Sequence, residues 1–256
     1  MHGIDLFRLD GRVALITGGS KGLGMAMASG LASAGADVLL TSRNETEVQQ
    51  AALEITDASS STVIGLEADV TKPEDAQRTV DHAIKKFGKI DILINNAGIN
   101  IRGPIEDLTP EQFEQVMATN TTGPWLMCRA VAPHMKRAGY GRVINLSSTL
   151  GVVGLVERSP YATSKGALIM MTKVLALEWA EQGITVNAIC PGPFLTPMNE
   201  PIADTEWSNH VIGSCVAMRR WGQLHEIQGA AIYLASDASS FVTGTTLLVD
   251  GGWTAH

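Results

Sequence analysis

Two patterns of hydrophobic and polar positions alternate along the chain. Short runs rich in Val, Ile and Leu predict buried β-strands. Longer segments, in which apolar residues recur three or four positions apart, predict helices between these strands. We predict strands at residues 12–17, 37–42, 62–70, 89–98, 141–148, 184–192 and 245–252, and helices at residues 25–35, 44–55, 72–88, 110–138 (interrupted at Gly123-Pro124), 159–183 and 224–236.

This alternation of strands and helices indicates the architecture. Continuously apolar strands separated by helices are typical of a parallel sheet that is covered on both sides. We therefore expect an α/β fold in one domain over residues 1–256: a Rossmann-type doubly wound parallel sheet of about seven strands with helices on both faces. Residues 193–223 do not follow this alternation of strands and helices. They come after the end of a strand, where such sheets bind ligands, and we predict that this segment is a substrate lid.

The composition narrows the possible partners. A net charge of −7 and the absence of basic runs argue against nucleic-acid binding. No window has the roughly 20 apolar residues of a membrane span, so no membrane partner is expected. Three cysteines without CxxC spacing indicate reduced thiols and a cytoplasmic location. Of these, Cys190 is predicted to be a packing residue because no basic partner accompanies it. The six histidines are scattered, so no metal site is expected.

A glycine-rich stretch follows the first predicted strand. The residues T-G-G-S-K-G-L-G, from Thr17 to Gly24, place glycines at positions 18, 22 and 24. Such a turn lets backbone amides approach a pyrophosphate at the N-terminal end of the following helix. The same stretch is compatible with a plain strand–helix turn, but its place at the first strand–helix junction favours dinucleotide binding.

The end of the second predicted strand bears on the choice of dinucleotide. An NAD site usually has a carboxylate there, which binds the ribose 2′-hydroxyl. This sequence has Thr41-Ser42-Arg43 instead, and Asp37 lies at the wrong end of the strand. Arg43 suits a 2′-phosphate, and Lys21 in the glycine loop can reach the same group. We therefore expect NADP(H) to be favoured over NAD(H).

The pair Tyr161 and Lys165 lies one helical turn apart at the start of a predicted helix. By itself such a pair is compatible with a polar surface patch. Together with other motifs over residues 12–252, however, the chain resembles the short-chain dehydrogenase/reductase family. The matching motifs are Thr17–Gly24, Asp69, Asn-Asn-Ala-Gly at 95–98, Asn120, Ser148, Tyr161, Lys165, Pro191-Gly192, Thr196 and Val-Asp-Gly-Gly at 249–252.

The resemblance implies four catalytic residues. Tyr161 would be the general acid/base, and the cation of Lys165 would lower its pKa while also holding the nicotinamide ribose. Ser148 would bind the substrate oxygen, in preference to Ser147, which points to the other face of the strand. Asn120 would join water and Lys165 in a proton relay, although an amide there could equally satisfy local backbone groups.

The resemblance also implies the residues that contact the cofactor. Asp69 would accept a hydrogen bond from the adenine amino group, and Asn95 is also compatible with a purely structural role. The expected cofactor contacts are Gly18, Ser20, Lys21, Gly22, Leu23, Gly24, Ser42, Arg43, Asn44, Asp69, Val70, Asn96, Ala97, Gly98, Tyr161, Lys165, Pro191, Gly192 and Thr196.

The substrate is less constrained by the sequence. The stretches around residues 95–104, 219–222 and 249–256 resemble the gluconate 5-dehydrogenase-like branch, which implies alcohol–ketone interconversion on a sugar acid such as gluconate and 5-ketogluconate. Alternatives are a 3-oxoacyl-carrier-protein reductase or a broad-specificity ketone reductase. A catalytically silent NADP-sensing protein is disfavoured because Tyr161 and Lys165 are both present.

Several side chains are candidates for substrate binding and assembly. Ser148, Tyr161, Arg102 and Trp207 are the candidate substrate residues, and Arg102, or secondly Arg158, could pair with a substrate carboxylate. The helix at 159–183 carries apolar residues on more than one face, as expected for burial against both the sheet and a partner. The resemblance implies a homotetramer.

Overall fold

The computed structural model describes residues 3–255, apart from the side chain of Trp207. Seven strands form one sheet, and every pairing between neighbouring strands is parallel. The strands are β1 (Val13–Thr17), β2 (Asp37–Ser42), β3 (Val63–Glu67), β4 (Ile92–Asn95), β5 (Gly141–Leu146), β6 (Ile184–Pro191) and β7 (Thr246–Val249). Their order across the sheet is β3-β2-β1-β4-β5-β6-β7. The predicted doubly wound parallel sheet is thus confirmed.

Helices connect the strands and cover both faces of the sheet. They are α1 (Gly22–Ser33), α2 (Glu45–Asp57), α3 (Pro73–Phe87), α4 (Pro110–Met117), α5 (Gly123–Ala138), α6 (Ser159–Trp179), α7 (Glu206–Cys215) and α8 (Gln228–Ala235). Among residues 3–255, no helix is long and apolar enough to cross a membrane.

The strands are apolar on both faces because each face is buried under helices. In β1, Ala14 and Ile16 belong to the core beneath α1, α2 and α8, while Leu15 belongs to the core beneath α3, α5 and α6. Residues of β2, β4 and β5 alternate between the same two cores. This two-sided burial explains why the strands appear as continuous hydrophobic runs in the sequence.

Three strands are shorter than the sequence predicts by four or more residues, whereas the other strands agree with the predicted runs to within two residues. The runs at residues 62–70, 89–98 and 245–252 extend beyond β3, β4 and β7. The end of β4 shows the reason: after Asn95 the chain turns toward β1, and the backbone amides of Asn96 and Ala97 both donate to the Thr17 hydroxyl, at 3.1 Å. A tertiary contact therefore ends the strand before its apolar pattern ends.

The long helix predicted at residues 110–138 is divided earlier than expected. A π-helical turn, Ala118–Thr122, separates α4 from α5, and α5 itself begins at Gly123. Pro124 lies in the first turn of α5, where a missing N–H is tolerated. The π-helical turn encloses Asn120, which is completely buried. Such turns are frequent at functional sites.

The predicted lid segment at 193–223 leaves the sheet after β6 and carries α7. Its two ends are joined, since Leu195 N donates to Gly222 O at 3.0 Å and Gly222 N donates to Pro193 O at 2.9 Å. The residues between these contacts form a loop whose ends are joined, and this loop lies over the carboxyl ends of the strands. The loop can therefore contact a ligand while its two ends stay attached to the sheet.

At the opposite end of the sheet, Tyr140 lies beneath two arginines. The guanidinium carbons of Arg12 and Arg142 are 3.8 Å and 4.3 Å from the centroid of the Tyr140 ring. Asp237 completes the cluster, because it accepts from Arg142 Nη2 at 3.0 Å and from the Tyr140 hydroxyl at 3.2 Å. These contacts join the segment before β5 to β1 and to the segment after α8.

We expect Tyr140→Leu to lower the free energy of unfolding by about 1–3 kcal/mol, because it removes two cation–π contacts and a hydrogen bond. Chemical denaturation measures this change. Tyr140→Phe is the matched control: it keeps the ring and loses only the bond to Asp237, so it should cost about 1 kcal/mol or less. Equal losses in both variants would show that the arginine–ring contacts contribute nothing.

Candidate active site

The sheet order reverses between β1 and β4, and a cleft opens at the carboxyl ends of these strands. Its volume is about 450 Å³. Crevices at such reversal points are the usual ligand sites of open α/β sheets. All of the residues expected to contact the cofactor line this cleft, with the single exception of Gly24.

Gly24 instead lies behind the glycine turn. A Cβ atom there would collide with Gly18 O and with the Asn96 side chain, so Gly24 allows close packing rather than forming the cleft surface. Gly18 has a φ of +64°, and a Cβ atom on it would come within 2.9 Å of Ala97 Cα. Asn96 Nδ2 donates to Thr17 O at 2.9 Å and to Gly18 O at 2.8 Å.

These contacts produce a glycine-lined floor at the start of α1, with a narrow approach that a bulkier residue would fill. A pyrophosphate suits this environment because the backbone comes close and the N-terminal end of α1 carries a partial positive charge. The cleft therefore fits the dinucleotide that the sequence predicts.

Three charged side chains line one end of the cleft: Lys21, Arg43 and Glu47. Within residues 3–255, Arg43 has no hydrogen-bond or ion-pair partner. Lys21 Nζ, in contrast, lies 3.3 Å from the Glu47 carboxylate, to which the Ser20 hydroxyl also donates at 3.4 Å. Lys21 is therefore opposed by a carboxylate, although the end of β2 carries none, as the sequence indicates. Glu47 comes from the first turn of α2 and not from the end of β2, which is why the strand-end pattern missed it.

Asp69 and Asn44 also line the cleft. Asp69 Oδ1 accepts from the backbone N–H and the hydroxyl of Thr71, at 3.0 and 2.8 Å. These bonds fix the orientation of its carboxylate. Asn44 caps α2, as its Oδ1 accepts from Glu47 N at 3.1 Å. The cap fixes where α2 begins and therefore where its first-turn side chains lie.

Tyr161 and Lys165 occupy the first two turns of α6 and meet Ser148 at the other end of the cleft. Lys165 Nζ lies 5.5 Å from the centroid of the Tyr161 ring. It donates to Leu146 O at 2.7 Å, which anchors the side chain to the end of β5. Ser148 follows β5 and lines the cleft beside Tyr161. Its neighbour Ser147 instead donates to Lys165 O at 2.8 Å.

Burial governs the protonation of this cluster. It raises the pKa of Tyr161 above its usual 10.0, and the nearby Ser148 hydroxyl opposes this effect only in part. The expected lowering of the Tyr161 pKa by Lys165 is therefore wrong for this structure. Burial also lowers the pKa of Lys165 to about 8, which weakens Lys165 as a fixed cation. Both shifts have the same cause, since a low-dielectric environment disfavours the charged form of each group.

Asn120 is held by backbone groups, as the alternative interpretation of the sequence expects. Its Oδ1 accepts from Ile99 N at 2.8 Å, and its Nδ2 donates to Ile99 O at 2.9 Å and to Ser164 Oγ at 3.0 Å. Within the described part of the chain, Asn120 has no direct hydrogen bond to Lys165. Ser164 in turn donates to Tyr161 O at 2.7 Å. Ser164, which the sequence did not single out, thus connects Asn120 to the turn that carries Tyr161.

Cys190 lies beside the same cluster. It is fully buried at the end of β6, and burial raises the pKa of its thiol while the charge of Lys165 opposes the rise. The expectation that Cys190 has no basic neighbour is therefore wrong, because the fold brings Lys165 close to it. Its burial agrees with the expected packing role.

A smaller cavity of about 110 Å³ adjoins the cleft at Ser148 and Tyr161. Arg102 and Arg158 both line it, and Arg102 Nη2 donates to Asn199 Oδ1 at 3.2 Å. Arg158 is buried, and its pKa is lowered by burial and by the neighbouring charge of Arg102. Apolar residues complete the wall of the cavity, and they include Leu150, Leu155, Ile202, Val211, Ile212, Trp221 and Trp253.

The structure thus brings the candidate substrate residues Ser148, Tyr161 and Arg102 together, whereas the side chain of Trp207 lies outside the described part. Trp221 and Trp253 were missed as cavity residues because they lie far from the catalytic motifs in the sequence. Among residues 3–255, no group of three or more His, Cys, Asp and Glu residues could hold a metal ion.

A doubly wound sheet, a glycine turn at its reversal point and a Ser–Tyr–Lys cluster define the class of a nicotinamide-dependent oxidoreductase. Comparison with known proteins agrees. The family model described as enoyl-(acyl carrier protein) reductase matches residues 18–254. Gluconate 5-dehydrogenase of Gluconobacter oxydans is 39% identical over 253 residues, which cover 98% of this chain and 97% of that protein. 3beta-hydroxysteroid dehydrogenase 1 of Eggerthella lenta is 38% identical and covers 97% of this chain and 95% of its own.

The solved structures agree as well. A gluconate 5-dehydrogenase from Burkholderia cenocepacia, in complex with NADP and tartrate, matches with a TM-score of 0.95 at 39% identity and 100% coverage of both chains. The chain belongs to the short-chain dehydrogenase/reductase family. It is an oxidoreductase that acts on CH–OH groups with a nicotinamide cofactor.

We expect the ε-amino group of Lys165 to titrate near pH 8 in the cofactor-free protein. Unfolded lysine keeps its proton up to about 10.5, so the unfolded state binds more protons between these two values. The contribution of Lys165 to stability therefore rises as the pH increases from about 8 to about 10.5. NMR of lysine labelled with ¹³C at Cε measures the titration, and Lys165→Met assigns the signal. A midpoint above pH 10 would contradict the effect of burial.

Proposed function

We propose that this protein interconverts a secondary alcohol and a ketone on a sugar acid, such as gluconate and 5-ketogluconate, with NADP(H) favoured over NAD(H). The observation that carries the substrate class is the pair Arg102 and Arg158 in the cavity beside Ser148 and Tyr161. The chain has a net charge of −7, so an anionic substrate needs a local cation. The identity to gluconate 5-dehydrogenases supports the same substrate class.

In this reaction Tyr161 exchanges a proton with the substrate oxygen, which Ser148 orients by a hydrogen bond. A bound nicotinamide would accept or supply the hydride. The raised pKa of Tyr161 keeps the phenol protonated near neutral pH, which suits proton donation to a ketone. Proton removal from an alcohol requires the phenolate, so oxidation becomes more favourable as the pH rises. Lys165 and Asn120 support the cluster from behind, through Leu146 O and Ser164 respectively.

The preference for NADP(H) is supported by Arg43, which lines the cleft at the end of β2. A guanidinium there can pair with the 2′-phosphate in a fork geometry. No carboxylate lies at the end of β2, and several solved relatives contain NADP. Phosphate recognition therefore rests first on Arg43, with Lys21 as a second cation.

We infer further that the chain works as a cytoplasmic homotetramer of single-domain subunits, with residues 193–223 as the substrate lid. α6 supports the assembly, because Leu168 and Trp179 face the core while Met170, Val174 and Leu177 are exposed. Leu177 is 83% exposed, and Trp125 on α5 is 49% exposed. Met170, Val174 and Leu177 are spaced to lie on one face of α6, and an exposed apolar face of this kind supports a protein–protein interface.

The apolar wall of the small cavity favours a second candidate function, reduction of a less polar ketone, as in a broad-specificity ketone reductase or a 3-oxoacyl-carrier-protein reductase. Trp221, Trp253 and Leu155 offer a surface that a polyhydroxylated chain does not need. The steroid dehydrogenase relative is consistent with this alternative. Arg102 supports the sugar acid, because a wholly apolar substrate would offer its guanidinium group no anionic partner in this cavity.

The proposal predicts NADPH oxidation with 5-ketogluconate at a higher kcat/KM than with acetoacetyl thioesters or simple ketones, in a spectrophotometric screen at neutral pH. Tyr161→Phe should lower kcat by about 100-fold or more, the scale of lost acid/base catalysis, with little change in folding or cofactor binding. A preference for neutral ketones would move the second candidate to first place. Near-normal turnover by Tyr161→Phe would refute the catalytic role of that residue.

Arg102→Met should raise KM for 5-ketogluconate by about 10–150-fold, the loss of one charge-assisted pair, while neutral ketones keep their KM. Arg219→Met is the control, because this exposed arginine of residues 193–223 lies outside both the cleft and the small cavity. Equal losses on charged and neutral substrates would show that Arg102 acts structurally, through its bond to Asn199.

A further inference from the structure

Glu47 is the third residue of α2, and its side chain lines the cofactor cleft although it is partly exposed to solvent. Its carboxylate is 3.3 Å from Lys21 Nζ and accepts from the Ser20 hydroxyl at 3.4 Å. Both partners belong to the glycine loop that follows β1. Glu47 therefore connects the start of α2 to the loop at the end of the cleft that also holds Arg43.

Helix stability does not explain this placement. An acidic residue in the first turn of a helix is favourable because of the helix dipole, and α2 has two of them, Glu45 and Glu47. Glu45 is exposed and does not line the cleft, yet it satisfies the same electrostatic preference. Only Glu47 contacts the glycine loop. The position of Glu47 therefore affects what the glycine loop binds as well as the stability of α2.

We propose that Glu47 is a specificity-determining residue that limits the selectivity for NADP(H) over NAD(H) by sequestering Lys21. This inference rests on the proposed function, in which Arg43 and Lys21 receive the 2′-phosphate. Lys21 can serve that phosphate only after it leaves Glu47, whereas Arg43 has no partner to leave within residues 3–255. NAD(H) has a neutral hydroxyl at the same position, so its binding does not compete with Glu47 for Lys21.

The exposure of the pair determines how large this effect can be. The side chains of Lys21 and Glu47 are 62% and 44% exposed. An ion pair of this kind is weakened by water and salt, so a phosphate can displace Glu47 from Lys21. Glu47 therefore lowers the selectivity for NADP(H) without abolishing it. The resulting enzyme would accept both dinucleotides more evenly than Arg43 together with an unsequestered Lys21 would allow.

Calorimetric titration of NADP⁺ and of NAD⁺, at low ionic strength, tests the proposal in the unmodified protein, Glu47→Gln and Glu45→Gln. In Glu47→Gln the Kd for NADP⁺ should fall by about 3- to 20-fold while the Kd for NAD⁺ changes by less than about twofold. Glu45→Gln removes the same charge from the same helical turn outside the cleft, and both of its Kd values should change by less than about twofold. An unchanged ratio in Glu47→Gln, or an equal shift in Glu45→Gln, overturns the proposal.

The Lys21→Met background tests whether Glu47 acts through Lys21. There the gain in NADP⁺ affinity from Glu47→Gln should shrink to less than about half of its size in the unmodified background. A gain of undiminished size would overturn sequestration of Lys21 as the cause. The proposed cofactor preference is read separately, from the unmodified protein alone. Tighter binding of NAD⁺ than of NADP⁺ there would refute that preference, whereas the role of Glu47 is read only from the change between variants.

Discussion

The partly buried contact between Asn96 and the glycine turn is the constraint on which the cofactor cleft depends. Where the sheet order reverses and neighbouring strands diverge, the carbonyl groups of Thr17 and Gly18 both accept hydrogen bonds from one side chain. The Asn96 side chain supplies both hydrogen bonds, while Gly24 leaves room for its amide. An unpaired buried carbonyl is costly, so this amide stabilises the open end of the cleft. The floor of the cleft and the start of α1 take their shape from this contact.

Burial sets the chemistry at the other end of the cleft. Lys165 is anchored to the end of β5, and Tyr161 is one turn away on the same helix. The surroundings that position both groups also disfavour their charged forms, which raises the pKa of Tyr161 and lowers that of Lys165. The π-helical turn around Asn120 and the hydroxyl of Ser164 fix the first turn of α6 from behind. The side chains of Tyr161 and Lys165 are thus held in place and carry little charge by themselves. A charged dinucleotide that binds beside them would add its own electrostatic field.

The substrate side depends more on loops than on the sheet. Residues 193–223 and the segment after β4 meet through the bond from Arg102 to Asn199. Arg158 lies in the same cavity but comes from the start of α6. Because both guanidinium groups are held beside a largely apolar wall, small changes in these segments alter which ketone fits, while the acid/base cluster stays the same. The relatives agree with this separation of the substrate side from the acid/base cluster, because their names include a dehydrogenase of gluconate and one of hydroxysteroids.

Local patterns in the sequence determined the strand and helix alternation, the glycine turn and the one-turn spacing of Tyr161 and Lys165, because each is encoded by residues close together in the chain. Even the membership of most cleft residues followed from motifs at strand ends. The tertiary structure alone decided that Glu47 pairs with Lys21, that Lys165 lies beside Cys190 and that burial raises the pKa of Tyr161. Those features arise where separate elements pack together, and both burial and the electrostatic field sum over neighbours distant in sequence.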